Sequence, residues 1–171
     1  MNITVEKVQL DQVAALVDLF LLVERQRETY WPLRWKLRDD ISDRYTRWIS
    51  GNLEKPDWLF AVACSGQRVI GGVAVGIMAE IPIYIYDRYA FIHDLAVASE
   101  YRRQGVATRL VQFATDWAAK GGVNQLRLMA AEPNAAARGL FSHLGFRCTY
   151  REMVLPITKS GEEDQPAGQS V

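Results

Sequence analysis

Apolar residues along this chain switch between two spacings, and the switches mark out its elements. Ile3, Val5 and Val8 alternate weakly, as in a first strand. Val13, Leu16, Val17, Phe20 and Val23 then recur at helical spacing, with Asp11 placed to cap and residues 24–28 extending the helix. Residues 29–38 crowd aromatic and basic groups around Pro32, which prevents regular continuation of that helix. An ordered loop is predicted there, either as one wall of a substrate cleft or with Trp31 and Trp35 plugging the edge of the core. Ile41, Tyr45, Trp48 and Ile49 line one face of a second helix that ends at Gly51 and Asn52.

Residues 58–64 and 69–79 read as a hairpin around Ser65, Gly66 and Gln67, with Gly71, Gly72 and Gly76 at bulges or close approaches. A tyrosine-rich connection leads to a fourth strand over 89–97. The helix after Gly105 buries Val106, Leu110, Phe113, Ala114 and Trp117 and stops at Gly121 and Gly122. Residues 125–131 alternate as a fifth strand. A short helix from Asn134 presents Ala137, Leu140, Phe141 and Leu144, and residues 148–156 supply a final strand. Hairpin-connected strands followed by a strand-helix-strand crossover predict an α/β fold: a mixed, mostly antiparallel sheet with helices on both faces.

The length of 171 residues suits one domain, placed at 1–158, and the Gly, Glu, Asp, Gln, Pro and Ser of 159–171 predict a disordered tail. Lys plus Arg equals Asp plus Glu at 20 each, so no global field recruits nucleic acid or an acidic membrane. Cys64 and Cys148 are far apart, have no metal-ligand or redox spacing, and are expected to be buried; no metal is expected. With neither a signal-like start nor a long apolar run, a cytoplasmic protein is expected.

Candidate chemistry concentrates where the fourth strand breaks into a polar loop carrying Arg102, Arg103 and Gln104 and passes through Gly105 into a helix. A helix start has backbone N–H groups without partners and a partial positive charge, so this is an anion site in outline, reinforced by two arginines. Neither G-x-x-x-x-G-K-[ST] nor G-x-G-x-x-G occurs, which argues against P-loop and dinucleotide enzymes. What stands there is Arg102-x-x-Gly105-x-Ala107.

That pattern, followed by Asn134-x-x-Ala137-x-x-Leu140-Phe141-x-x-Leu144-Gly145-Phe146, resembles the GCN5-related N-acetyltransferase (GNAT) family. The order of elements from residue 3 to residue 156 is similar to that family's fold, and Ile92–Val97 is locally similar to aminoglycoside 3-N-acetyltransferases. The resemblance implies acetyl-CoA as cosubstrate, its pyrophosphate held by backbone amides of Arg103, Gln104, Gly105, Val106, Ala107 and Thr108. It implies that strands four and five splay, leaving backbone at Leu95, Ala96 and Val97 to hold the pantetheine arm and polarise the thioester carbonyl. Asn134 and Phe141 match cofactor-contacting positions, and Asn134 is also a plain helix N-cap.

Acetyl transfer to an amine needs the amine neutral, and an alkylamine has a pKa near ~10, so a base or a water relay is required. His93 and Asp94 are the candidates; His93 matches a family position that carries Glu or His acting through water. Strand alternation sends only one of the two into the cleft unless the strand bulges. Phe141 replaces the family's usual tyrosine acid. Tyr84, Tyr86, Tyr150 or Ser142 could take that role, or the thiolate could leave unaided, its thiol pKa being near ~8.5. No nucleophilic cysteine is placed, so direct attack in a ternary complex is expected on a small-molecule amine or peptide N-terminus, in a protein whose family default is a homodimer. The reading from a different class is a non-catalytic acyl-CoA-binding or regulatory protein.

Overall fold

The computed structural model describes residues 2–157. The tail expected over 159–171 lies outside them. In chain order the elements are β1 (Ile3–Lys7), α1 (Val13–Tyr30), α2 (Pro32–Trp35), α3 (Ile41–Ser50), β2 (Trp58–Ser65), β3 (Arg68–Ala79), β4 (Arg88–Val97), α4 (Val106–Lys120), β5 (Leu126–Leu128) and α5 (Ala135–His143). They build one five-stranded sheet in the order β1-β2-β3-β4-β5. The first three pairings are antiparallel and the last, β4 with β5, is parallel. The predicted mixed, mostly antiparallel sheet is thus observed, and the parallel pair follows from α4 acting as a crossover.

Two apolar cores lie on opposite faces of the sheet. Leu110, Val111, Ala114 and Ala118 of α4 pack with Ile70, Val73, Val75 and Ile92 on one face. Leu16, Val17 and Phe20 of α1 and Ile49 of α3 pack with Phe60, Val62 and Ala74 on the other. Each such Leu, Ile or Phe, fully removed from water, stabilises the fold by about 1.5–3 kcal/mol. Gly72 lets α1 approach: a Cβ there would overlap Leu16 Cδ1.

The β4–β5 ladder covers only Ala90, Phe91 and Ile92 against Leu126, Arg127 and Leu128. Beyond Ile92 the strands part, and among the described residues β4 keeps a strand partner only on its β3 side. This is the splay expected for strands four and five. No helix among the described residues is long and apolar enough to cross a membrane.

Four local expectations are corrected. Residues 32–35 form a helical turn, because Pro32 occupies the first helical position, where its fixed φ helps and its missing N–H costs nothing. The fifth strand is three residues long rather than seven, since after Leu128 the chain turns away towards Asn134. The segment 148–156 forms no strand; the short β5 offers it little edge, and Met153 and Leu155 are 92% and 84% exposed. Cys148, on that unpaired segment, is exposed, whereas Cys64 in β2 is buried as expected.

Candidate functional site

The site begins with a break in alternation. Opposite β3, Ala74 faces Asp94 but Val75 faces Ile92, so His93 is an extra residue in β4, a β-bulge. The bulge turns both side chains to the α1/α3 face. His93 sits among Trp48, Trp58 and Phe91, with ring centroids 5.8, 5.1 and 5.1 Å away. Asp94 accepts a hydrogen bond from the Tyr45 hydroxyl, which is 3.3 Å from each carboxylate oxygen. The alternation that would have separated the two candidates is cancelled by one inserted residue.

His93 and Asp94 line an open cavity of about 360 Å³ together with Glu24 and Arg27 of α1 and Ile41, Arg44, Tyr45 and Trp48 of α3. Residues 29–38 do not line it, so that segment is no wall of this cleft; Arg34 instead pairs with Glu152 at 3.1 Å. Asp94 and Glu24 are the two buried charged residues of the described chain, at 5% and 7% exposure. Burial, and then the negative charge of Glu24, hold the Asp94 carboxyl well above the ordinary aspartate range. Arg27, 2.7 Å from Glu24, works against this, as does the Tyr45 hydrogen bond. Tyr45 itself is pushed up by burial and by Asp94, so its hydroxyl stays protonated. Burial moves His93 the other way, favouring neutral imidazole. His93 Nε2 is sealed from solvent with no hydrogen-bond partner among the described residues, which leaves Nδ1 as the nitrogen that could exchange a proton with the cavity.

Just past the C-terminal end of β4 a short 3-10 turn, Ser99–Tyr101, leads into the arginine loop. Arg103 and Gly105 both have left-handed backbone, with φ of 63° and 78°. Such turns of successive N–H groups make anion-binding concavities, and a non-glycine residue in that conformation marks strain concentrated at the loop. The first backbone bond of α4 runs from Arg109 N–H to Gly105 C=O at 3.1 Å. Among the described residues the amides of Arg103, Gln104, Gly105, Val106, Ala107 and Thr108 have no backbone acceptor. Arg102 Nε donates to Val97 C=O (3.2 Å) and Gln104 Nε2 to Glu100 C=O (2.9 Å), fixing the loop against the end of β4. Both arginines are exposed, while Val106 is buried and offers only its backbone. This arrangement fits a phosphate-bearing ligand, and a Cβ at Gly105 would meet nothing within 4 Å, so the loop is open above.

Immediately after β4, Ala98 N–H bonds Ile70 C=O on β3. Alternation then turns Ala96 to β3 as well and leaves Leu95 and Val97 facing the edge that β5 has abandoned. Asn134 caps α5, its Oδ1 accepting from Ala137 N–H at 3.1 Å. Phe141 is half-buried, edge-on to Phe146 at 5.5 Å. Glu24, Arg27 and Arg44 also line the cavity without belonging to any sequence motif. Glu24 left a signal: it falls four residues after Phe20, on the apolar stripe of α1, where a carboxylate is out of place.

A strand that ends in an open edge, followed by a loop of free amides at a helix start, gives this α/β protein an arrangement that fits a phosphate-bearing ligand. The chain belongs to the acetyltransferase (GNAT) family, whose model matches residues 16–146. It is similar to GCN5-related N-acetyltransferase 10 of Arabidopsis thaliana, at 29% identity over 77% of this chain and 51% of that one. It is also similar to N-alpha-acetyltransferase 30 of Schizosaccharomyces pombe, at 29% identity over 68% of this chain and 76% of that one. The chain spans about half the length of the first curated relatives it matches. An aminoglycoside 6'-N-acetyltransferase from Acinetobacter baumannii shares the fold, with a TM-score of 0.69 and 22% identity over 93% of this chain and all of that one.

Proposed function

We propose that this protein is an acetyl-CoA-dependent N-acetyltransferase that moves an acetyl group to a primary amine by direct attack in a ternary complex. The observation that carries the reading is the bulge at His93, which brings two proton-exchanging side chains to one cavity immediately before the open edge of β4. The amides of residues 103–108 would hold the pyrophosphate of acetyl-CoA, with Arg102 and Arg103 adding positive charge. Leu95 and Val97 would border the pantetheine arm and stabilise negative charge on the thioester oxygen. Asn134 and Phe141 would flank the arm from α5.

Asp94 is the better proton acceptor of the pair. Its carboxyl is raised towards the range in which a general base works best, and it stands beside a hydroxyl that orients it. His93 helps through Nδ1 or by packing. The acceptor is a small-molecule amine or a peptide N-terminus; the names of the relatives support an amine in that position. Phe141 supports a second reading, a non-catalytic acyl-CoA-binding protein, because a phenyl ring cannot return a proton to the departing thiolate. Release of CoA from acetyl-CoA across a panel of amines decides between them. Turnover on any amine carries the first reading; acetyl-CoA binding with no turnover on all of them carries the second.

A further inference from the structure

The cavity over His93 and Asp94 is ordered by charge from bottom to top. At its floor are the buried carboxyls of Asp94 and Glu24. At its mouth are guanidinium groups: the Arg27 side chain is 29% exposed and that of Arg44 50% exposed. Neither arginine is consumed by its partner. Arg44 meets Asp40 through Nε alone, at 2.9 Å to both oxygens, and its two Nη groups have no partner among the described residues. Arg27 meets Glu24 through Nη1. Between floor and mouth the walls are apolar or aromatic: Ile41, Tyr45 and Trp48.

We propose that the acceptor is a zwitterionic amine of the amino-acid or short-peptide class, its amine directed to Asp94 and its carboxylate held at the mouth by Arg44 with help from Arg27. This deepens the N-acetyltransferase reading and rests on it. The geometry fits the chemistry at each level. An ammonium entering a floor with two carboxyls finds a proton acceptor there. A planar guanidinium with free Nη groups matches a carboxylate in a two-point contact. The volume of about 360 Å³ admits an amino acid with an apolar side chain against Trp48. A polycationic acceptor would instead have to bring its second positive charge past Arg27 and Arg44, where like charges repel.

The test measures CoA release with acetyl-CoA and matched sets of acceptors: leucine, leucylglycine and 6-aminohexanoate, each against its carboxamide and against a diamine of similar length. The expected result is a kcat/KM at least about tenfold higher for each carboxylate than for its carboxamide and the diamine, roughly the worth of one charged hydrogen bond. Arg44→Gln collapses the carboxylate-to-carboxamide ratio towards one, mainly through KM, and Arg44→Lys restores part of it. Equal or better turnover of carboxamides or diamines, or a ratio that Arg44→Gln leaves intact, overturns the assignment while leaving the N-acetyltransferase reading standing. Should no amine turn over, that reading falls separately. Calorimetric titration of the same sets onto the CoA-saturated protein then decides the mouth: a preference for carboxylate that Arg44→Gln abolishes supports it, and binding without preference, or no binding, overturns it.

Discussion

The arginine loop and the cavity both border the C-terminal half of β4, and they are encoded in opposite ways. The loop is contiguous. Residues 99–108 contain the turn, the left-handed Arg103 and Gly105, the side-chain ties to Val97 and Glu100, and the helix start, so its shape follows from local backbone rules. The cavity is assembled from α1, α3 and one inserted residue in β4, and its chemistry exists only once these pack together. Contacts at long separation need the whole fold, whereas a strand-loop-helix turn needs little beyond itself. A change in the loop should therefore strike one ligand cleanly, and a change in the cavity should strike turnover.

The largest expected effect breaks the loop. Gly105→Glu forces a side-chain-bearing residue into a left-handed conformation and places a carboxylate among the unpartnered amides. Acetyl-CoA affinity measured by calorimetry should fall by about 100-fold or more, with the fold retained and destabilised by only the roughly 1–2 kcal/mol that a side chain costs in left-handed backbone. An unaltered Kd would remove the phosphate site from this loop. Next is Asp94→Asn, which keeps the shape and a partner for Tyr45 but cannot take a proton. We expect kcat to fall by roughly 10²-fold or more with acetyl-CoA affinity retained. A variant with near-normal kcat would transfer the base role to His93 or to water.

The same contrast explains what the sequence disclosed. Arg102-x-x-Gly105-x-Ala107 was legible because each residue type answers a local need: charge, positive φ, a small residue at a helix start. The sheet and both helical faces were legible from periodicity. The cavity was half legible. His93 and Asp94 stood out as candidates, but alternation argued that only one could face the cleft, and a bulge leaves no mark in composition. Glu24 was visible only as an exception on an apolar stripe, and Arg44 only as an ordinary surface cation of α3. The segment 148–156 failed for the converse reason: its apolar run over Met153, Val154 and Leu155 suits a strand, yet β5 is too short to pair with it.

Within the cavity, two substitutions should move one pH profile in opposite directions. Asp94 must be deprotonated to accept a proton, so activity falls as pH drops through its pKa, and its raised value places that acid limb at higher pH than an ordinary aspartate would. Glu24→Gln removes the negative charge that disfavours Asp94 ionisation and frees Arg27 to favour it, so the limb of kcat/KM should move to lower pH. Tyr45→Phe removes the hydroxyl that donates to the Asp94 carboxylate, so the limb should move to higher pH, with a loss of a few-fold in rate from a less oriented base. Desolvation by the surrounding walls is common to both variants and cannot produce opposite signs. Displacements in the same direction, or none in either variant, would show that the limb belongs to another group, and His93 would be the first to test because burial already lowers its pKa.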